Sequence, residues 1–78
     1  MQKKLHKLAK QQLGASVRAL RGTAELSQEE LGLRINLDQS YISRLESGQL
    51  NPTLETIAEL AAALDVSLED IFKDSGKP

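Results

Sequence analysis

Cysteine is absent from the 78 residues. A disulfide framework and a thiolate metal site are therefore excluded. Histidine occurs once, at His6, with no carboxylates at ligand spacing around it, so no metal site is expected. No apolar run approaches the length of a membrane span or a signal peptide. The expectation is a cytoplasmic protein with no membrane partner. Aromatics amount to Tyr41 and Phe72, and no segment alternates apolar with polar residues at period two, so strand signals are missing. Glycine-rich phosphate loops are missing too, and no nucleophile has a base beside it. The chain is not expected to be an enzyme, nor to hold a cofactor or small-molecule ligand.

What is present is charge, unevenly spread. The net charge of −1 argues, taken alone, against a nucleic-acid partner. Its distribution points the other way. Residues 1–48 hold eight Lys/Arg against five Asp/Glu, and residues 49–78 hold two against six. Lys3, Lys4, Lys7, Lys10, Arg18 and Arg21 all precede the first acid, Glu25. A polarised domain can turn a basic face to phosphate while its far side stays acidic. A basic helix can equally be just solvated, and charge alone does not choose.

Helical spacing runs through the whole chain, which is long enough for one small domain. Helices are expected near 3–22, 28–35, 39–47, 54–64 and 68–73. Leu5, Leu8, Leu13, Val17 and Leu20 mark the first, with a break or loosening expected at Gly14 and the last turn at Gly22. Ser27 caps the second, and Glu30 completes a capping box, with Leu26 and Leu31 placed as a hydrophobic staple. Asp38 caps the third, with Leu37 and Ile42 as its staple pair, and Gly48 suits a left-handed end. Thr53, after Pro52, caps the fourth, whose buried stripe reads Leu54, Ile57, Ala58, Ala61 and Leu64. Ser67 caps the fifth, with Val66 and Ile71 as staple. Residues 1–12 read as a basic extension, 13–73 as the folded domain and 74–78 as a frayed tail.

Only Asn36, Leu37 and Asp38 separate the second helix from the third. So short a link forces a steep crossing, as in a helix-turn-helix. Leu37, Ile42 and Leu45 point inward. The outward face keeps Gln39, Ser40, Ser43, Arg44 and Ser47, which form hydrogen bonds and carry no negative charge. A major groove admits such a helix, and Gln pairs bidentately with adenine as Arg does with guanine. The third helix is there to read DNA and the second to hold it.

The segments LSQEEL, YISRLESG, NPTLETI and LAAALDVSLEDIF together resemble the Cro/repressor-type helix-turn-helix domain, the XRE family, over Leu13 to Phe72. The resemblance implies an all-α, lambda-repressor-like bundle of five helices. It implies a sequence-specific transcriptional regulator, a repressor or controller protein, that binds double-stranded DNA as a homodimer at an inverted-repeat operator. Gln39 and Ser40 would then reach base edges, and Arg44 a base edge or a phosphate. Tyr41 would join them at a base edge or phosphate, or else pack on the first helix. Ser27, Gln28, Ser43, Ser47 and Asn51 would contact phosphate, Gln28 also steadying Gln39. Arg21 and Glu46 would pair and tie the first helix to the end of the third. Gly32, where the family usually has Ala, is expected to loosen the second helix. A chain this short is not expected to bury Leu64, Val66, Leu68, Ile71 and Phe72 all together, so these five form the expected dimer surface. The other reading is an antitoxin or adaptor module whose main partner is a protein.

Overall fold

The computed structural model describes residues 2–75, with side chains over 4–73. The helices are α1 (Gln2–Thr23), α2 (Gln28–Arg34), α3 (Gln39–Glu46), α4 (Leu54–Leu64) and α5 (Leu68–Ser75). No strand occurs among the described residues. α5 runs two residues into the segment expected to fray, and residues 76–78 lie outside the described part.

Each of the first four helices ends the same way. Glu25, Asn36, Gly48 and Asp65 take positive φ. The next residue then donates its N–H to a carbonyl five positions back: Leu26 to Arg21, Leu37 to Gly32, Gln49 to Arg44 and Val66 to Ala61, at 2.9–3.1 Å. This closure satisfies carbonyls that a helix end leaves open. In three of the four the following residue is at once an N-cap. Glu25–Leu26–Ser27, Asn36–Leu37–Asp38 and Asp65–Val66–Ser67 are thus one connector used three times: a left-handed residue, an apolar residue, a cap. The Ser27 and Asp38 side chains accept from backbone N–H groups three residues on, at 3.0 and 2.9 Å. Ser67 does likewise from Asp70 at 3.1 Å, and the Asp70 carboxylate answers from the Ser67 N–H.

α1 is unbroken at Gly14, contrary to the sequence expectation. The glycine serves packing instead. A Cβ there would collide with the carbonyl oxygen of Leu45 and come within 2.7 Å of that of Glu46. Gly32 corrects a second expectation. α2 is intact through it, and a Cβ would lie 2.5 Å from the Leu37 carbonyl oxygen, so the glycine lets the connector fold back on its helix.

The core joins Leu13 and Val17 of α1, Leu31, Ile42 and Leu45 of the helix pair, Ile57, Leu60, Ala61 and Leu64 of α4, and Ile71 of α5. Full burial of one such side chain stabilises by about 1.5–3 kcal/mol. Ile57, Ala61 and Leu64 line the α4 stripe as expected, joined by Leu60, while Leu54 and Ala58 are exposed. Leu54, in the first turn of α4, is 65% exposed. Ala58 lies on the far flank of the stripe. Ser16 is the buried polar residue, its hydroxyl donating to the Ile71 carbonyl at 2.5 Å and fastening α1 to α5. Of the five residues expected on the dimer surface, Leu64 and Ile71 belong to the core, because each sits on the inward stripe of its helix. Val66 packs against that core, while Leu68 and Phe72 stay 38% and 50% exposed.

Candidate nucleic-acid interface

The outward face of α3 is held by a line of hydrogen bonds that starts in α1. Arg21 lies in the last turn of α1. Its Nη1 donates to the Leu26 carbonyl at 2.8 Å, while Nε and Nη2 donate to the two Glu46 carboxylate oxygens at 2.7 and 3.0 Å. Glu46 closes α3, and its side chain is only 4% exposed, that of Arg21 17%. Gln28, first residue of α2, gives an amide N–H to Glu46 Oε1 at 3.0 Å. Its own Oε1 accepts from Gln39 Nε2 at 2.6 Å. Leu26, Arg21, Glu46, Gln28 and Gln39 are thereby one network across three helices. Such a network orients groups more surely than it stabilises the fold. The Glu46 bond also holds the Arg21 pKa above its ordinary value, against the opposing effect of burial.

At the N-terminal ends of α2 and α3 two acids are already engaged. Asp38 is exposed, yet its carboxylate accepts from the Tyr41 N–H at 2.9 Å and from the Ser40 hydroxyl at 3.0 Å. Those bonds, the backbone one first, hold its pKa below the usual carboxylate value. Glu30 is lowered for the same reason by the Ser27 N–H. A negative charge so placed works as a cap and lies beside the readable face without crossing it.

Gln39, Ser40 and Arg44 are exposed on α3, with Ser43 half-buried beside them. Gln39 keeps its carbonyl oxygen and one N–H for an outside partner. Ser40, having given its proton to Asp38, offers an acceptor. Ser47 donates its hydroxyl to the Ser43 carbonyl at 2.7 Å, and Asn51 is exposed in the loop before α4. Ser27 is exposed at the α2 cap. Tyr41 stands apart from its expected place. Its ring packs against the hydrophobic cluster, its hydroxyl bonds Thr56 of α4 and not α1, and burial raises its pKa. Sequence reasoning missed the Arg21 bond to the Leu26 carbonyl and the Arg34 bond to the Ala63 carbonyl at 3.0 Å, which closes α2 on α4. Both go to backbone atoms, whose position no side-chain pattern reveals.

Two short packed helices joined by residues 35–38, with the second held by the network from α1 and α2, define a helix-turn-helix domain. A helix-turn-helix family model matches residues 17–71. The chain belongs to that family, the XRE type, whose members are DNA-binding transcriptional regulators and not enzymes. It is 46% identical over 55 residues to the HTH-type transcriptional regulator y4dJ of Sinorhizobium fredii, covering 70% of this chain and 71% of that one. It is 36% identical over 53 residues to the control protein C.MunI of a Mycoplasma species, covering 68% and 72%. Among solved structures, the restriction-modification controller protein C.AhdI of Aeromonas hydrophila superposes with a TM-score of 0.82 at 39% identity, covering 86% of this chain and 97% of that one. Among the described residues no helix is long and apolar enough to cross a membrane.

Proposed function

We propose that this regulator binds an inverted-repeat operator as a homodimer, a repressor or controller protein acting in the cytoplasm. The observation that carries the reading is the Arg21–Glu46–Gln28–Gln39 network. It spends three side chains on aiming one amide at the start of α3. An aimed amide suits adenine, which presents an acceptor at N7 and a donor at N6. Ser40, as acceptor, suits an amino group on the neighbouring base. Arg44, one turn on, reaches guanine or phosphate. Ser27, Gln28, Ser43, Ser47 and Asn51 line the approach to the backbone, Gln28 with the one N–H its network bonds leave over. Phosphate contacts set register and base contacts set preference.

One α3 reads too few base pairs to find a site in a genome. A second copy across a two-fold axis doubles the site and spaces the two recognition helices about 34 Å apart. Leu68 and Phe72, with Val66 at their edge, supply the apolar contact for that copy. The test is selection of bound sites from random duplexes, repeated with Gln39→Ala. The wild type should yield a palindrome, and the variant should lose preference at one position per half-site, at a cost of about 1–3 kcal/mol. Equal loss on selected and random duplex would count against base reading. A non-palindromic site bound by monomer at full affinity would count against the dimer, and absence of any duplex binding would favour a protein-binding module instead.

A further inference from the structure

The family match begins at residue 17, and the first two thirds of α1 lie outside it. We propose that this overhang is a second DNA contact: Lys4, Lys7 and Lys10 bind the phosphodiester backbone flanking the bases that α3 reads. The inference rests on the DNA-binding reading above and extends it to a segment outside the family match.

Three observations place the lysines. First, α1 is one straight register from Gln2. Lys4, Lys7, Gln11 and Arg18 follow one another at helical spacings of three, four and seven, which puts them on one line, with Lys10 and Gly14 beside it. Gly14 is the point where α1 meets the last carbonyls of α3, and a Cβ on Gly48 would come within 2.8 Å of Gln11 Cγ. Lys10 lines the same shallow cavity as Asn51 and Pro52. The basic line therefore leaves the body past the end of α3 and the loop to α4, the loop that carries Ser47 and Asn51.

Second, the charge is sorted. Leu5, Leu8, Gln12, Ala15 and Ala19 form a parallel line, all exposed and all uncharged. The Leu5 edge of that line lies beside Ser16, which bonds the Ile71 carbonyl. Lys4, Lys7 and Arg18 keep to the line of Gln11, which meets Gly48, and Lys10 borders the cavity that Asn51 and Pro52 share with Phe72 of α5.

Third, the cations have no internal use. α1 contains no acid. Among the described residues, the ion pair is Arg21 with Glu46, and Lys4, Lys7, Lys10 and Arg18 form none. Three ammonium groups on a rigid helix, beside the loop expected to meet phosphate, form an electrostatic rail whose ligand is a polyanion.

The experiment compares wild type with the triple variant Lys4→Gln, Lys7→Gln, Lys10→Gln on a long random-sequence duplex over a salt series. Each lost phosphate contact flattens the slope of log affinity against log salt by about 0.9. The expected drop is roughly two to three units, with an unchanged ratio of selected-site to random binding. A Lys-to-Arg triple should restore the slope, and Leu5→Gln with Leu8→Gln should leave it untouched. Helicity by circular dichroism confirms that all variants are folded. An unchanged slope in the glutamine triple, with wild type binding normally, overturns this inference and spares the DNA reading. A wild type that shows no salt-dependent binding to duplex overturns both.

Discussion

Two helix pairs in this chain are joined by the same connector and serve opposite ends. α2 and α3 meet through Asn36–Leu37–Asp38, α4 and α5 through Asp65–Val66–Ser67. Both use a left-handed residue, an apolar plug and an acceptor cap, and both sink an isoleucine, Ile42 or Ile71, into one core. The outward faces differ. α3 shows amides, hydroxyls and a guanidinium, locked from behind by Glu46. α5 shows Leu68 and Phe72 with Glu69 beside them, and the Ser16 bond fastens it to α1 from inside. Helix-turn-helix geometry is thus a general packing solution. Whether such a pair reads DNA depends on which side chains it leaves outside and on what holds them still.

The largest effects should separate core from network. Ile71→Ala should cost about 2–5 kcal/mol of stability through the cavity it leaves, with base preference intact in whatever fraction remains folded. Glu46→Ala should cost about 3 kcal/mol, because it strands the mostly buried Arg21, and should also blur preference at the Gln39 base. Urea unfolding beside site selection tells them apart. Equal preference in the two variants would mean that the network does not aim Gln39.

Leu68→Glu should leave monomer stability within about 0.5 kcal/mol, as an exposed first-turn position allows. It should convert the protein to monomer in micromolar sedimentation. A variant still dimeric would move the interface away from α5.

Next in size come the connectors. Asp65→Gly and Glu25→Gly should each raise stability by a few tenths to about 1 kcal/mol, since glycine takes positive φ without the penalty of a Cβ. Asn36→Gly should gain less, asparagine being at ease there. A larger gain at Asn36 than at Asp65 would break the equivalence of the two connectors.

The smallest effect is the acid limb. Bonds from Tyr41 and Ser67 N–H groups hold Asp38 and Asp70 below their unfolded values. A lowered folded pKa adds stability that is fully present above the unfolded pKa, near 4, and fades as pH falls through the folded one. Melting curves between about pH 5 and 3 should therefore flatten in Asp38→Asn, which keeps a capping oxygen, and in Asp70→Asn. Unaltered pH dependence in both would remove the caps from the acid response.

The helix ends were the legible part of the fold. Ser27, Asp38, Thr53 and Ser67 act on residues three positions away, and a signal that local survives in the sequence. Gly14 and Gly32 misled because their reason is tertiary: backbone from Leu45, Glu46 and Leu37 comes too close for a side chain. Leu54 misled because a stripe reads the same at a helix end as in its middle, while packing does not. Leu64 and Ile71 could not be divided from Leu68 and Phe72 by apolarity, only by which way each helix is turned. At the interface the polar face of α3 was legible. The Gln28 bond came only with the family resemblance, and the turn of Tyr41 toward Thr56 had no sequence signal.

The Ser16 bond to Ile71 spans 55 residues and closes the first helix on the last. During synthesis this makes the two ends of the described chain a timing device. A nascent chain that has exposed α1, α2 and α3 already owns Gln39 and its whole network of partners. It still lacks Ile57, Leu60, Leu64 and Ile71, so the core around Val17 and Ile42 is incomplete. The packing that seats α3 is therefore finished only when Ile71 is in place.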